Sequence, residues 1–222
     1  MGDETLVLGL GISGCAASEA LISRDYKVCA VDDSPSEFIN EWANKLSLEL
    51  APAPATDKWE NFLQRFSQIL ISPGIPDSHP VFEAASRVGS TVIDEGDLAN
   101  EWDDRPRCAV TGTNGKTTVV TLVTEMLNRS GLNAVATGNL EKPVVVAIED
   151  SSADCFVIEA SSFRLAHSLK FKASPAAWLN FAPDHLDHHL SLDSYLQAKK
   201  RVWEGVKKES DAIANLSDPV VK

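Results

Sequence analysis

Twice in this chain a short apolar run ends in a glycine-rich turn and continues directly into a helical pattern. The first instance is "TLVLGLGISGCAAS" (residues 5–18), with Gly9, Gly11 and Gly14 in Gly-x-Gly-x-x-Gly spacing. The second is "CAVTGTNGKTT" (residues 108–118), built on Gly112, Gly115 and Lys116. A strand that feeds a helix in this way returns to its sheet by a crossover, and crossovers join parallel strands. The two instances therefore predict an α/β chain: a Rossmann-like parallel-sheet N-terminal domain, followed by a truncated P-loop-type α/β domain.

The pattern between and after the loops agrees. Apolar runs at "KVCAVDD", "SLELAPA", "SQILISPGI" and "STVIDEGD" alternate with helical patterns at "GCAASEALISRD", "PSEFINEWANKL", "KWENFLQRF" and "HPVFEAASRVG". The stretch "ANEWDDRPR" is polar and contains Pro106, which predicts a linker there and domains of 1–104 and 105–222. Beyond it, "RCAVTG", "NAVATGN", "DCFVIEASS", "PAAWLNF" and "DAIANL" read as strands. "KTTVVTLVTEMLNRSG", stopped by Gly131, reads as a helix, as do "PVVVAIEDSS" and "SLDSYLQAKKRVWEGVKK". Nothing follows the last strand to close the second sheet, so the expectation is the N-terminal part of a longer protein.

Charge narrows the ligands. The 222 residues carry a net charge of −12, and the imbalance sits in residues 1–104, with 19 acidic against 6 basic side chains. That argues against nucleic acid as a partner. It leaves a phosphate ligand open, because a helix N-terminus holds an anion without side-chain charge. No apolar run approaches the ~20 residues needed to span a bilayer, so no membrane insertion is expected. The opening "MGDETL" resembles neither a signal peptide nor a myristoylation site. Cys15, Cys29, Cys108 and Cys155 lack metal-ligand spacing and read as reduced thiols of a cytoplasmic protein.

The first loop, with Asp32 at the end of the next strand, matches a dinucleotide fingerprint and raises an NAD-dependent oxidoreductase. A complete dinucleotide fold needs two mononucleotide halves, and only about 90 residues precede the second loop. In that second loop, backbone N–H groups of Gly112, Thr113, Asn114 and Gly115, with Lys116, Thr117 and Thr118 at the helix start, suit a nucleotide's phosphates. Lys116 reaches terminal phosphates and the Thr117 hydroxyl suits Mg²⁺. A strict loop of this kind has glycine at position 110, where this chain has Val110. Glu159, ending the strand "DCFVIEASS", is the expected acid on the metal side. In "NFAPDHLDHH", zinc is a weak reading without cysteine, and His185, nearest the strand end, is the favoured site residue. His188 and His189 are expected as solvated loop residues, and His79 and His167 as structural. A nucleotide-binding module without catalytic activity stays open on these residues alone.

"TGTNGKTT", "IEASSFRL", "NFAPDHLDHH" and "YLQAKKRVW" occur in the order and approximate spacing of the Mur ligases of peptidoglycan synthesis, which the chain resembles over essentially its whole length. Within that family it is most similar to the D-glutamate-adding branch. It has Ser161-Ser162-Phe163 where relatives adding diaminopimelate or lysine typically have Ser-Ser-His. It has Thr-Asn-Gly-Lys where the alanine-adding relative has Thr-His-Gly-Lys, and it contains "SPGI" at Ser72–Ile75. The resemblance implies a three-domain, monomeric ligase that joins D-glutamate to UDP-N-acetylmuramoyl-L-alanine through an acyl phosphate, using ATP and two Mg²⁺ ions. It implies UDP contacts at Gly11, Ile12, Ser13, Gly14, Asp32, Ser34, Ser72, Pro73 and Gly74, with Asn139 and Ser161 beside the substrate. Lys116, Asn139, His185 and Lys199 take catalytic roles, and Thr117, Glu159, His185 and Lys199, the last carbamylated, surround metal. Two departures stand out: Arg164 replaces a usual glutamine near the sugar, and Asp33-Ser34 lacks a basic residue that some members place there.

Overall fold

The computed structural model describes residues 4–140 and 142–222. The chain divides into two compact units, Met1–Glu95 and Gly96–Lys222.

The first unit is a five-stranded parallel sheet in the order β3-β2-β1-β4-β5, with β1 Glu4–Leu8, β2 Lys27–Val31, β3 Glu49–Ala51, β4 Phe66–Ile71 and β5 Thr91–Ile93. Helices α1 Ile12–Ile22, α2 Glu37–Lys45, α3 Trp59–Leu63 and α4 Pro80–Val88 connect the strands. Leu6, Val7 and Leu8 on β1 are all fully buried. That is the signature of a central parallel strand covered on both faces, and it explains why "TLVL" is apolar without alternation. One core packs Leu6, Leu8, Val31, Ile69 and Ile71 against Trp59, Leu63 and Val81.

The second unit opens with helix α5 Glu95–Trp102, where a polar linker was expected. Its apolar face buries Leu98 and Ala99. The Arg107 guanidinium ties it to the following strand by donating to Ala99 O and Asn100 Oδ1. The division between units accordingly falls at Glu95/Gly96, before the position near 104 read from the sequence. The sheet order is β10-β9-β6-β8-β7, all parallel, with β6 Arg107–Thr111, β7 Ala134–Gly138, β8 Cys155–Glu159, β9 Ala176–Trp178 and β10 Ala212–Ala214. Helix α6 Lys116–Arg129 ends as expected, with Gly131 in the left-handed region at φ +98°. Helix α7 Val144–Ala147 forms despite its valines, because Val144 and Val145 are buried beneath it.

Two further elements depart from the sequence reading. Helix α8 Ser162–His167 follows β8 directly, capped by Ser161 Oγ, which accepts from Arg164 N at 3.3 Å. Helix α9 Leu192–Lys200 stops short of the long helix expected and gives way to a 3-10 turn at Arg201–Trp203. Arg201 there donates to Leu165 O, Ala166 O and Ser168 O at the end of α8, and Trp203 Nε1 donates to Ala176 O. Tertiary bonds thus end the helix where periodicity alone would continue it.

The cysteines are free thiols. Burial pushes Cys29 up to about 12 and Cys15 and Cys108 up to about 11, which leaves them unreactive at neutral pH. Among the described residues, no helix is long and apolar enough to cross a membrane.

Candidate functional sites at the strand ends

In a parallel sheet, ligands collect outside the C-terminal strand ends where the strand order reverses. In the first unit this point lies between β1 and β4. Gly9 leaves β1 at φ +86°, and Gly11 forms the N-cap of α1. No side chain caps the first turn of α1 and no acid lies in it, so its amides face an anion's position unopposed. Gly14 is obligatory: a Cβ there would lie 1.9 Å from Gly9 O and 2.7 Å from Ser72 Oγ. Ser72, just past β4, donates its hydroxyl to Gly9 O at 2.6 Å and binds the two loops together.

Asp32 accepts from Leu10 N at 2.7 Å through Oδ2 and from Ser34 N at 3.0 Å through Oδ1. Both carboxylate oxygens therefore brace the glycine loop and the loop after β2. Gly11, Ile12, Ser34 and Gly74 are exposed, Ser13 and Pro73 are half-buried, and Gly14 and Ser72 lie underneath. His79 caps α4, with Nδ1 accepting from Val81 N at 3.1 Å, and its ring sits edge-on to Trp59. Burial lowers its pKa against the pull of Asp33.

In the second unit the phosphate loop leaves β6 and enters α6 through Gly115, at φ +82°, again without a side-chain cap. Lys116 curls back, its Nζ donating to Gly112 O and Thr113 O at 3.0 Å each. Thr117 Oγ1 donates to Glu159 Oε2 at 2.7 Å, and Asn139 Nδ2 donates to Glu159 Oε1 at 3.2 Å. The first turn of α6 and the ends of β7 and β8 thus meet on one buried carboxylate. Gly138 makes this possible, because a Cβ there would lie 2.5 Å from Glu159 O. Thr118 is exposed on the first turn of α6, and Ser161 is buried as the cap of α8.

Lys199 is the most unusual group. It is 1% exposed, and its Nζ donates to Gly112 O at 2.8 Å. Burial, with repulsion from Lys116 added, lowers its pKa from 10.5 to about 7, and Asp184 opposes the shift. Tyr195, one turn earlier on α9, lies beneath it with Nζ 4.7 Å from the ring centre. A capping box of Ser191 and Ser194 starts α9 and turns Tyr195, Ala198 and Lys199 inward.

His185 has a left-handed backbone, φ +54°, rare outside glycine. Its ring stands 4.7 Å from Phe163 and 6.1 Å from Tyr195, beside Asp184. His189 is buried, not solvated, and its Nε2 lies 3.0 Å from Ser162 Oγ. His188 stacks on Phe163 at 4.0 Å. The apolar ring of Phe163 packs against all three histidines, burying His189 and half-burying His188, while the His185 side chain stays 40% exposed.

Two site residues escaped the sequence reading. Asn180, after β9, takes both Thr113 N and Asn114 N on its Oδ1, at 3.0 and 2.9 Å, and returns Nδ2 to Asn114 O. Those two loop amides are therefore committed to Asn180. Tyr195 Oη lies 3.1 Å from Thr113 Oγ1 and links the loop to the helix bearing Lys199. The spacing of Tyr195 to Lys199 was a readable signal; that of Asn180 to the loop was not, since it spans the sheet.

A family model described as the Mur ligase middle domain matches residues 110–222, and one described as Mur ligase MurD-like, N-terminal domain, matches residues 3–94. The UDP-N-acetylmuramoylalanine–D-glutamate ligase of Thermoanaerobacter sp. (strain X514) is 33% identical over 99% of this chain and 48% of its own length. The ligase of the same name from Syntrophus aciditrophicus (strain SB) is 35% identical over 98% of this chain and 49% of its own. The chain therefore spans about half the length of the curated relatives it matches. Among solved structures, a UDP-N-acetylmuramate:L-alanyl-gamma-D-glutamyl-meso-diaminopimelate ligase from Neisseria meningitides superposes with a TM-score of 0.55 at 16% identity, covering 94% of this chain and 70% of that one, a likeness of fold.

Proposed function

The chain belongs to the Mur ligase family, and on that premise we propose that the protein containing it is an ATP-dependent amide ligase joining D-glutamate to UDP-N-acetylmuramoyl-L-alanine. The observation that carries this reading is the convergence on Glu159, at the end of β8, of Thr117 from the first turn of α6 and Asn139 from the end of β7, beside a phosphate loop. The names of the relatives supply the amino acid and the precursor.

In this reading the amides at the start of α1 hold the diphosphate of the precursor. Gly11, Ile12, Ser13 and Gly14 supply that cradle, Asp32 and Ser34 border the uridine, and Ser72, Pro73 and Gly74 close the side. The amides from Gly115 to Thr118 hold the phosphates of ATP, and Lys116 exchanges its loop carbonyls for a phosphate oxygen. The oxygens of Thr117 and Glu159, 2.7 Å apart, form a hard donor pair that fits Mg²⁺. Magnesium supplies charge neutralisation between two anions, the γ-phosphate and the L-alanyl carboxylate. Asn139 and Ser161 border the space between them.

One carboxylate oxygen attacks the γ-phosphorus, and ADP leaves with the bridging oxygen. The amine of D-glutamate then attacks the acyl carbon, and phosphate leaves with the carboxylate oxygen. Lys199, with a pKa near 7, presents a substantial neutral amine at physiological pH. A neutral amine adds CO₂, and the carbamate would serve, with His185, as a ligand for a second Mg²⁺.

The test is phosphate release in the longest protein that includes this chain. Release should require both the precursor and D-glutamate. Release independent of D-glutamate, or equal use of another amino acid, overturns the assignment. Lys199→Ala should cut ligation by at least about 100-fold and recover partly with a short carboxylic acid, as loss of a charge-stabilising group requires; full activity in that variant removes the carbamate.

A further inference from the structure

Two amides of the phosphate loop are already occupied, and by a neutral atom. Thr113 N and Asn114 N converge on Asn180 Oδ1 at 3.0 and 2.9 Å. Successive backbone N–H groups that meet on one point make a concavity suited to an anion. Here the carboxamide oxygen of Asn180 sits in it. Both lone pairs of that oxygen are used, and Nδ2 donates to Asn114 O at 3.0 Å. The side chain has one workable orientation, because a flip would turn its –NH₂ toward two N–H donors.

Asn180 is itself fixed from the core. It follows β9, and its own carbonyl accepts from Trp178 Nε1 at 3.0 Å and from Thr113 N at 3.2 Å. Trp178 is buried. Two residues further on, Ala182 N donates to Thr113 Oγ1 at 3.0 Å. The exit of β9 thus grips Thr113 by backbone and side chain together. The loop carbonyls are spent on lysines: Gly112 O accepts from Lys116 and Lys199, and Thr113 O from Lys116.

The loop needs such a grip. A strict phosphate loop starts to curve at a glycine, which would stand at position 110. Val110 is buried there and paired with Glu159 and Ala177, so β6 runs on to Thr111. The curve is left to the four residues before α6. A side chain from the neighbouring strand holds the bend that a local glycine would otherwise start.

We propose that Asn180 is a positioning residue of the nucleotide site, an inference that rests on reading the phosphate loop as the ATP site. Asn180 fills one part of the amide cradle with an uncharged oxygen. The amides from Gly115 to Thr118, where no side chain caps α6, are left as the share of the phosphates. Neutrality is part of the role: a carboxylate in the same place would satisfy the two amides and repel the phosphates beside them. A loop already held in its binding shape takes up a phosphate without first having to be ordered.

The test compares wild type, Asn180→Ala and Asn180→Asp in the longest protein that includes this chain. Without nucleotide, the amides of Thr113 and Asn114 should exchange about tenfold or more faster in Asn180→Ala, as loss of their acceptor requires. Calorimetry should show Mg²⁺-ATP bound about tenfold or more weakly by both variants, with UDP bound as in wild type. In turnover, KM for ATP should rise by a similar factor while kcat stays within about threefold. A role in folding alone would lower kcat with the active fraction and leave KM unchanged. Unchanged exchange in Asn180→Ala, or wild-type ATP affinity in either variant, overturns the proposal and leaves the ligase reading standing. A wild type that binds no Mg²⁺-ATP overturns the reading of the loop as a nucleotide site, and the part of Asn180 in it.

Discussion

Glu159 accepts from Thr117 on one oxygen and Asn139 on the other, so charge and shape at this position separate cleanly. Glu159→Gln keeps the shape and removes the charge. It should weaken Mg²⁺-dependent ATP binding, measured by calorimetry, by at least about tenfold with little change in melting temperature. Gly14→Ala does the reverse. Its Cβ meets Gly9 O at 1.9 Å, so the denaturation midpoint of the first unit should fall by an amount equivalent to about 3 kcal/mol or more. Lys199 ties stability to pH. Its pKa falls from 10.5 in the unfolded chain to about 7 in the fold. The burden of burying the cation is thus full below about pH 7 and eases as pH rises toward 10.5. In CO₂-free buffer, the wild type should gain on Lys199→Met over that interval, and a constant difference between them contradicts the shifted pKa. The family resemblance picked out Lys199, and sequence spacing picked out Gly14 and Glu159. It could not give the Asn180 clamp, because loop and clamp lie on different strands brought together only by the β6–β9 pairing.

Among the elements, strands and the longer helices were legible because burial on both faces leaves unbroken apolar runs and glycine stops mark helix ends. Helices α5 and α8 were not. Their sequences, "EGDLANEW" and "SFRLAH", are too short for a period to register, and both are held by contacts from elsewhere: Arg107 on α5 and Arg201 on α8. The early end of α9 has the same origin. Arg201 spends its guanidinium on three carbonyls of the α8 end and on Glu204. Arg201→Ala should cost about 1–3 kcal/mol in the second unit and speed hydrogen exchange at the end of α8, where unsatisfied carbonyls are left. Unchanged exchange there would mean that packing alone holds α8 to α9.

At the scale of the whole molecule, each unit is a parallel sheet with one glycine loop at its point of strand reversal, and each loop faces a different phosphate ligand in the proposed function. Hydrogen exchange should therefore show UDP protecting residues 9–15 and Mg²⁺-ATP protecting residues 112–118. The fold class and both loops were readable because strand–glycine–helix units are local. The amino acid joined was not readable from composition or spacing and rests on resemblance and on the names of relatives twice this chain's length. The proposed function has a carboxylate activated by the γ-phosphoryl group, and isotope transfer tests that step most directly. UDP-N-acetylmuramoyl-L-alanine labelled with ¹⁸O in its carboxylate is turned over with ATP and D-glutamate by the longest protein that includes this chain. One ¹⁸O should appear in each phosphate released; phosphate free of the label would contradict the acyl-phosphate route.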